Sequence, residues 1–139
     1  MKHAIRAFMT PDPHTVERSE HLSAAGRIMQ ANGIRHLPVV ENGRVVGVLS
    51  DREVQLVEAF SGGLFRRVLV DDAMTPNPYS ADPETPVSEV CRVMAEKKYG
   101  CVVIVSDGKP VGVFTSTDGL YALSVVYDRL SEPSSKATP

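Results

Sequence analysis

Two short stretches of the sequence end in the same arrangement of polar groups. Ser50 is followed three residues later by Glu53, and Thr115 is followed at the same spacing by Asp118. A carboxylate can accept hydrogen bonds from both hydroxyls of a cis-diol, and the start of a helix offers free N–H groups and a positive dipole end to an anion. The same spacing is also a capping box, which satisfies the first helical N–H groups without a ligand. The motif alone therefore indicates either a ligand site or a helix cap.

The two motifs lie at equivalent places in an internal duplication. A shift of 65 residues aligns residues 9–53 with residues 74–118 without a gap, and twelve of these 45 positions are identical. Each copy starts with "MTP" and carries "VGV" shortly before its motif. A duplication at this period indicates two copies of one structural unit.

Each copy predicts a short lead-in strand, a helix, two strands and a second helix. Apolar residues at helical spacing predict the first helices: Leu22, Ala25, Gly26 and Met29 in one copy, Val87, Val90, Cys91 and Met94 in the other. The runs "HLPVVE" and "CVVIV" predict strands, and the Asn-Gly and Asp-Gly that follow supply the positive φ of tight hairpins. Second helices are expected from Arg52 to about Ala59 and from Ser116 to about Leu130.

The expected fold class is α+β, with the two repeats packed sheet to sheet about a pseudo-twofold axis. A unit of about 55 residues with two central strands cannot cover both faces of its sheet. The expected boundaries are 5–60 for the first repeat, 61–69 for a connector with Gly62 and Gly63 at its flexible point, and 70–130 for the second repeat. Residues 131–139 are polar and Pro-rich, which predicts a disordered tail.

Composition excludes several classes of protein. The net charge of −2 gives no long-range attraction to nucleic acid or acidic membranes. No signal peptide is visible, and "CVVIV" is too short to cross a bilayer, so a cytoplasmic protein is expected. The histidines and cysteines lack metal-ligand spacing. Cys91 is expected on a buried helix face, and both it and Cys101 are expected to be inert thiols.

The ordered motifs resemble a tandem pair of cystathionine-β-synthase (CBS) domains, the arrangement also called a Bateman module. The stretches that carry this resemblance are "MTPDPHTV", "MTPNPYSA", "GIRHLPVVENGRVVGVLSDREV" and "YGCVVIVSDGKPVGVFTSTDGL". It covers roughly residues 5–130. Because the family is not catalytic by itself, and no P-loop, G-x-G-x-x-G or nucleophile elbow is present, the chain is not expected to be an enzyme.

The resemblance implies a role for the hydroxyl and the acid. In many CBS pairs the motif G-h-h-[ST]-x-x-D, in which h is an apolar residue, binds an adenosyl nucleotide: the Asp holds the ribose hydroxyls and the Ser or Thr reaches toward phosphate or ribose. The stretch with Thr115, Thr117 and Asp118 matches this motif completely, whereas the stretch from Ser50 carries Glu53 where Asp is usual. The expected ligand is AMP, ADP, ATP or S-adenosylmethionine, bound as a regulatory ligand with no obligatory cofactor.

Basic residues at the strand entrance often meet phosphate in this family. Here they are Arg35 and His36, with Arg52 in the first turn of the following helix, while the equivalents of the first two are the uncharged Gly100 and Cys101. The guanidinium of Arg35 suits phosphate and is always charged, and His36 contributes fully only when it is protonated. The asymmetry predicts two unequal sites.

An adenine slot needs apolar walls, and Ile34, Tyr99 and Val16 are the candidates. An aromatic at a strand entrance is also typical of a core residue, so Tyr99 has two interpretations.

Two function classes remain open. The first is a sensor that binds an adenosyl ligand between the repeats and signals to a separate partner protein. The second is a ligand-free module that dimerises through its helices or presents a surface to another protein. Helix-mediated homodimers are usual in the family, and exposed apolar residues are expected on the two second helices: Val54, Val57, Phe60, Leu120, Leu123 and Val126. Nucleic-acid binding, known for some family members, is disfavoured by the charge balance.

Overall fold

The computed structural model describes residues 3–132, which form five α-helices and eight β-strands. The helices are α1 Leu22–Asn32, α2 Asp51–Ser61, α3 Val70–Ala73, α4 Val87–Lys97 and α5 Ser116–Ser131. The strands are β1 Thr10–Pro11, β2 Val16–Glu17, β3 His36–Glu41, β4 Arg44–Ser50, β5 Thr75–Pro76, β6 Ser80–Ala81, β7 Cys101–Ser106 and β8 Lys109–Thr115. The predicted α+β class and the two-repeat architecture are confirmed.

The two four-stranded sheets exchange their lead-in strands. One sheet has the order β2-β3-β4-β5 and the other the order β1-β8-β7-β6. Thus β1, from the first repeat, pairs with β8 of the second, and β5, from the second repeat, pairs with β4 of the first. The sequence predicted a lead-in strand in each copy but not this exchange. Asp12 and Asn77 follow the exchanged strands with φ of 49°, where the chain turns back toward its own repeat.

The duplicated glycine of each "VGV" makes room for the exchange. A Cβ atom on Gly47 would lie 2.5 Å from the sulfur of Met74, and one on Gly112 would collide with the sulfur of Met9. Both methionines belong to the duplicated "MTP" stretches. The identities shared by the two copies therefore include both partners of each close contact.

Each repeat has its own hydrophobic core, and each core also contains one residue from the other repeat. The first core contains Val16, Leu22, Ala25, Met29, Leu37, Val39, Leu49, Val54 and Val70. The second core contains Ile5, Ala81, Val90, Met94, Val102, Ile104 and Phe114. Val70 comes from the start of the second repeat and Ile5 from the start of the chain, so this packing crosses between the repeats as well. The sheets contact each other through β4 and β8.

Two placements differ from expectation. Cys91 is exposed, because α4 buries only Val90 and Met94. Val54 is buried in the first core, so it does not belong to an exposed apolar surface.

The connector and the chain end also gain structure. Residues Gly62–Arg67 form a 3-10 helix that begins at Gly62, whose φ is 59°. Ser131 is the last residue of α5, and residues 133–139 of the expected tail lie outside the described part. Within residues 3–132, no helix has the length and apolar character that a membrane span requires.

Candidate functional site

The acid and hydroxyl of each motif form a complete capping box. At the start of α2 the Glu53 N–H donates to Ser50 Oγ at 3.1 Å, and the Ser50 N–H donates to Glu53 Oε1 at 2.7 Å. At the start of α5 the Asp118 N–H donates to Thr115 Oγ1 at 3.2 Å, and the Thr115 N–H donates to Asp118 Oδ2 at 2.9 Å. The capping interpretation of the motif is therefore confirmed for both copies. It leaves the outer carboxylate oxygens available to further donors.

Each carboxylate also receives a hydroxyl from the other repeat. Thr75 Oγ1, on the exchanged strand β5, donates to Glu53 Oε2 at 2.9 Å. Thr10 Oγ1, on β1, lies 3.2 Å from Asp118 Oδ1 and 3.4 Å from Oδ2. We call the place around Ser50, Glu53 and Thr75 the first cleft, and the place around Thr115, Asp118 and Thr10 the second cleft.

Sequence reasoning did not single out the two threonines as site residues. The available signal was their identity in the duplicated "MTP", which was used only to align the copies. Their contact with the acids depends on the strand exchange, and that is visible only in the structure.

The basic candidates lie beside the start of α2. His36 opens β3 and pairs with Ser50, and the carbonyl of Arg35 accepts the Asp51 N–H at 2.8 Å. Arg35 and Arg52 are exposed, and neither forms an ion pair within residues 3–132. Both guanidinium groups are thus available to an anion at the first cleft.

The pKa of His36 is lower than that of an ordinary histidine. Burial lowers its pKa, and although the Glu53 carboxylate opposes this shift, the Arg35 charge adds to it. The Asp51 carboxylate also acts to raise the pKa. An anion that bound beside the ring would favour its protonation.

The second cleft carries no basic residue at the equivalent place. The Gly100 carbonyl accepts the Ser116 N–H at 3.1 Å, and Cys101 pairs with Thr115. Burial, with a smaller contribution from the Asp118 charge, raises the pKa of the Cys101 thiol to about 12, so it stays protonated. Burial also raises the pKa of Cys91, which agrees with the predicted low reactivity of both thiols although Cys91 is exposed.

The apolar candidates are spread over different surroundings. Tyr99 is 43% exposed, and its ring stacks on Tyr79 with centroids 5.9 Å apart, so the interpretation as a core residue is wrong. Ile34 packs against the first core and is partly buried. Val16 is 4% exposed and belongs to that core. Thr117 is exposed in the first turn of α5.

A groove of about 680 Å³ lies elsewhere, between α1 and α2. Arg35, Ile34 and Asp51 border it, but the acids and hydroxyls of the two clefts do not. The groove therefore shares one basic residue with the first cleft and lacks its diol-binding chemistry.

The chain is similar in sequence to known proteins. A family model described as "CBS domain" matches residues 5–57 and 70–125. Inosine-5'-monophosphate dehydrogenase of Korarchaeum cryptofilum is 33% identical over 116 residues, which are 83% of this chain and 23% of that protein. The chain also spans only 61% of the chloroplastic CBS domain-containing protein CBSX1 of Arabidopsis thaliana, at 27% identity.

Two solved structures have the same fold and hold adenosyl ligands. The complex of CBSX2, a CBS-pair protein of Arabidopsis thaliana, with AMP superposes with a TM-score of 0.75 at 25% identity, over 90% of this chain and 98% of that one. The CBS domain pair of protein MJ0100, in complex with 5'-methylthioadenosine and S-adenosyl-L-methionine, superposes with a TM-score of 0.82 at 23% identity, over 91% and 99%.

Proposed function

The chain belongs to the CBS domain family, and we propose that it is a regulatory module that binds an adenosine-containing nucleotide in the clefts between its repeats. The observation that carries the proposal is the second cleft, where Asp118 is fixed at the start of α5 and faces Thr10 from the other repeat. The AMP complex of CBSX2 supports this class of ligand. We further propose that binding is signalled to a separate partner protein.

The cap and the ligand use the same carboxylate in different ways. A ribose offers two hydroxyl donors, which can replace the long Thr10 contact while the Thr115 N–H keeps its bond to Oδ2. Thr115 caps α5, and Ser116 and Thr117 form its first turn, where the helix dipole favours an anionic or polar group. The N–H groups of Thr115 and Ser116 already donate to Asp118 and to the Gly100 carbonyl. Binding in the second cleft thus requires the loss of only one weak contact of Asp118.

In the first cleft the phosphate contacts are stronger and the ribose contact is weaker. Arg35, His36 and Arg52 surround the start of α2, and Arg35 and Arg52 are free to pair with phosphate. Glu53 is already bonded at both oxygens, at 2.7 and 2.9 Å, so a ribose must displace a better hydrogen bond there. Adenine would stack on Tyr99 or contact Ile34, while Val16 is buried in the first core.

Isothermal titration calorimetry with AMP, ADP, ATP and S-adenosylmethionine tests the proposal. We expect at least one of them to bind with a micromolar dissociation constant and to raise the melting temperature. Since a ligand present at 100 times its dissociation constant stabilises by about 2.7 kcal/mol, the shift is easily measured. If none of the four binds at millimolar concentration, the proposed function is wrong.

The second candidate function is a ligand-free assembly module, and α5 favours it. None of the 16 residues of α5 is buried, and Leu120, Leu123 and Val126 are exposed on it. Phe60, at the end of α2, is 84% exposed. Apolar surface of this extent rarely stays uncovered on a soluble protein, so we propose a homodimer through these helices. A monomer mass in light scattering at micromolar concentration would contradict it.

Dimerisation itself is compatible with nucleotide binding, because the clefts and the apolar helix surface use different residues. The cytoplasmic location and the repeat boundaries expected from the sequence stay predictions.

A further inference from the structure

The strand entrances of the two repeats contact each other. His36 opens β3, and its equivalent in the second repeat, Cys101, opens β7 directly after Gly100. The Nε2 atom of His36 lies 3.7 Å from the position that a Cβ atom on Gly100 would occupy. Equivalent segments meet in this way at a twofold axis. The imidazole therefore lies beside Gly100 at the entrance of the second cleft, while its backbone belongs to the first.

Both helix starts converge on this junction. The first N–H of α2 donates to the carbonyl of Arg35, and the first N–H of α5 donates to the carbonyl of Gly100. Both helix starts are therefore tied by backbone hydrogen bonds to the two strand entrances, one of which His36 opens while its ring lies beside the other. On the side of the second repeat, Gly100 and Cys101 supply no cation, and the imidazole beside Gly100 is that of His36.

We infer that the two clefts share His36 as a phosphate-binding side chain, so that a nucleotide phosphate in one cleft weakens phosphate binding in the other. The inference rests on the proposed function. One Nε2–H can donate to one anion at a time, and two phosphate groups at one junction repel each other. The ribose contacts are separate, because Asp118 and Glu53 lie in different clefts. The coupling is therefore specific to ligands that carry phosphate.

Variants that leave one cleft intact isolate the contribution of His36 to each. Asp118→Asn leaves the first cleft and Glu53→Gln leaves the second. In each background, calorimetry measures AMP and adenosine with and without His36→Gln. We expect His36→Gln to weaken AMP about tenfold in both backgrounds, as one charge-assisted hydrogen bond implies, and to change adenosine by less than about twofold. An effect on AMP in the Asp118→Asn background alone would show that His36 serves only the first cleft, and would overturn the inference.

The unmodified protein gives a second measurement that does not depend on the folding of a His36 variant. AMP should bind to the weaker cleft of the unmodified protein at least about tenfold less tightly than it binds to that cleft in the variant that keeps only that cleft. Adenosine should bind to that cleft equally tightly in both proteins. If AMP binds to that cleft equally tightly in the unmodified protein and in the variant, the inference is overturned.

Controls separate this test from the proposed function. His21→Gln, at an exposed histidine that precedes α1, should leave all affinities unchanged. If the unmodified protein binds neither AMP nor adenosine, the proposed function fails and the inference fails with it. If AMP binds and His36→Gln acts on one cleft, only the inference fails.

Discussion

The carboxylate of Asp118 has two roles that a single substitution separates. In the structure it caps α5 through the Thr115 N–H at 2.9 Å and meets Thr10 Oγ1 at 3.2 Å. In the proposed complex it holds a ribose diol. Asp118→Asn keeps the size of the side chain and one oxygen that can accept the Thr115 N–H. It removes the charge, and it places an amide that can only donate where the second ribose hydroxyl needs an acceptor.

The expected losses differ in size. Two hydrogen bonds from ribose to a carboxylate are worth about 1.5–3 kcal/mol each, and displacing the Thr10 contact costs about 1 kcal/mol. The net loss on substitution is then at least about 2 kcal/mol, or about 30-fold in affinity. Without ligand the variant loses part of one helix cap, about 1 kcal/mol or less.

Calorimetry of AMP binding and urea unfolding measure the two quantities on the same preparations. Glu53→Gln is the matched control, because it disturbs the equivalent capping box in the other cleft. It should cost similar stability and leave the second cleft's affinity for adenosine, which carries no phosphate, unchanged. If Asp118→Asn lowers the free energy of unfolding but leaves AMP affinity intact, the acid is a helix cap only, and the assembly module becomes the better function.

Four further predictions concern affinity, pH and stability. Titration with AMP should show one occupied cleft or two clearly separated affinities, and two equal sites would contradict the role given to the basic strand entrance. The pKa of His36 is lowered in the folded protein from 6.5, so the unfolded chain binds more protons in acid. The free energy of unfolding should therefore fall as pH drops below about 6.5, and His36→Gln should flatten this dependence in urea titrations. Lys98, the C-cap residue that follows α4, has a φ of 61°. Lys98→Gly should raise the free energy of unfolding by about 0.5–1 kcal/mol, because glycine adopts this conformation without strain; an unchanged or lower thermal midpoint would refute this. Gly47→Ala should cost about 1–3 kcal/mol, because a Cβ there lies 2.9 Å from a backbone carbonyl of β5, whereas Gly63→Ala, with open space around it, should be nearly neutral.

The sequence predicted the local structure well, because local patterns determine it. The duplication placed both hydroxyl–acid motifs at helix starts, and Asn42 and Asp107, which begin the predicted Asn-Gly and Asp-Gly turns, have positive φ. The exchange of β1 and β5 could not be predicted from the sequence. A strand of two residues has no pattern that distinguishes the sheet of its own repeat from the sheet of the other repeat. Thr10 and Thr75 were missed as site residues for the same reason.

The wrong expectations for the burial of Cys91 and Val54 are explained by the packing of the two helices in each repeat. In the first repeat, Gly26 of α1 faces Val54 of α2, and a Cβ on Gly26 would lie only 3.3 Å from Val54 Cγ1. The second repeat has Cys91 and Gly119 at these positions, so the small and large residues are reversed. There α5 buries nothing and Cys91 stays exposed. Periodicity identifies the inner face of a helix, but it does not tell how closely a neighbouring helix approaches.

The exchanged lead-in strands also determine when the protein can become complete during its synthesis. Thr10 pairs with Val113, so β1 waits for a partner that leaves the ribosome about 100 residues later, or roughly 5–20 s at usual rates of translation. Until residue 76 emerges, the first sheet also lacks β5, and its β4 edge is open to any extended segment nearby. Two nascent chains on one messenger could supply each other with the missing strand, which would give an interlocked dimer whose β1 and β8 come from different molecules. The same topology that joins the halves of one chain is thus a route by which two chains become entangled, unless the β1–β8 pair of each chain closes before a second chain reaches its open edges.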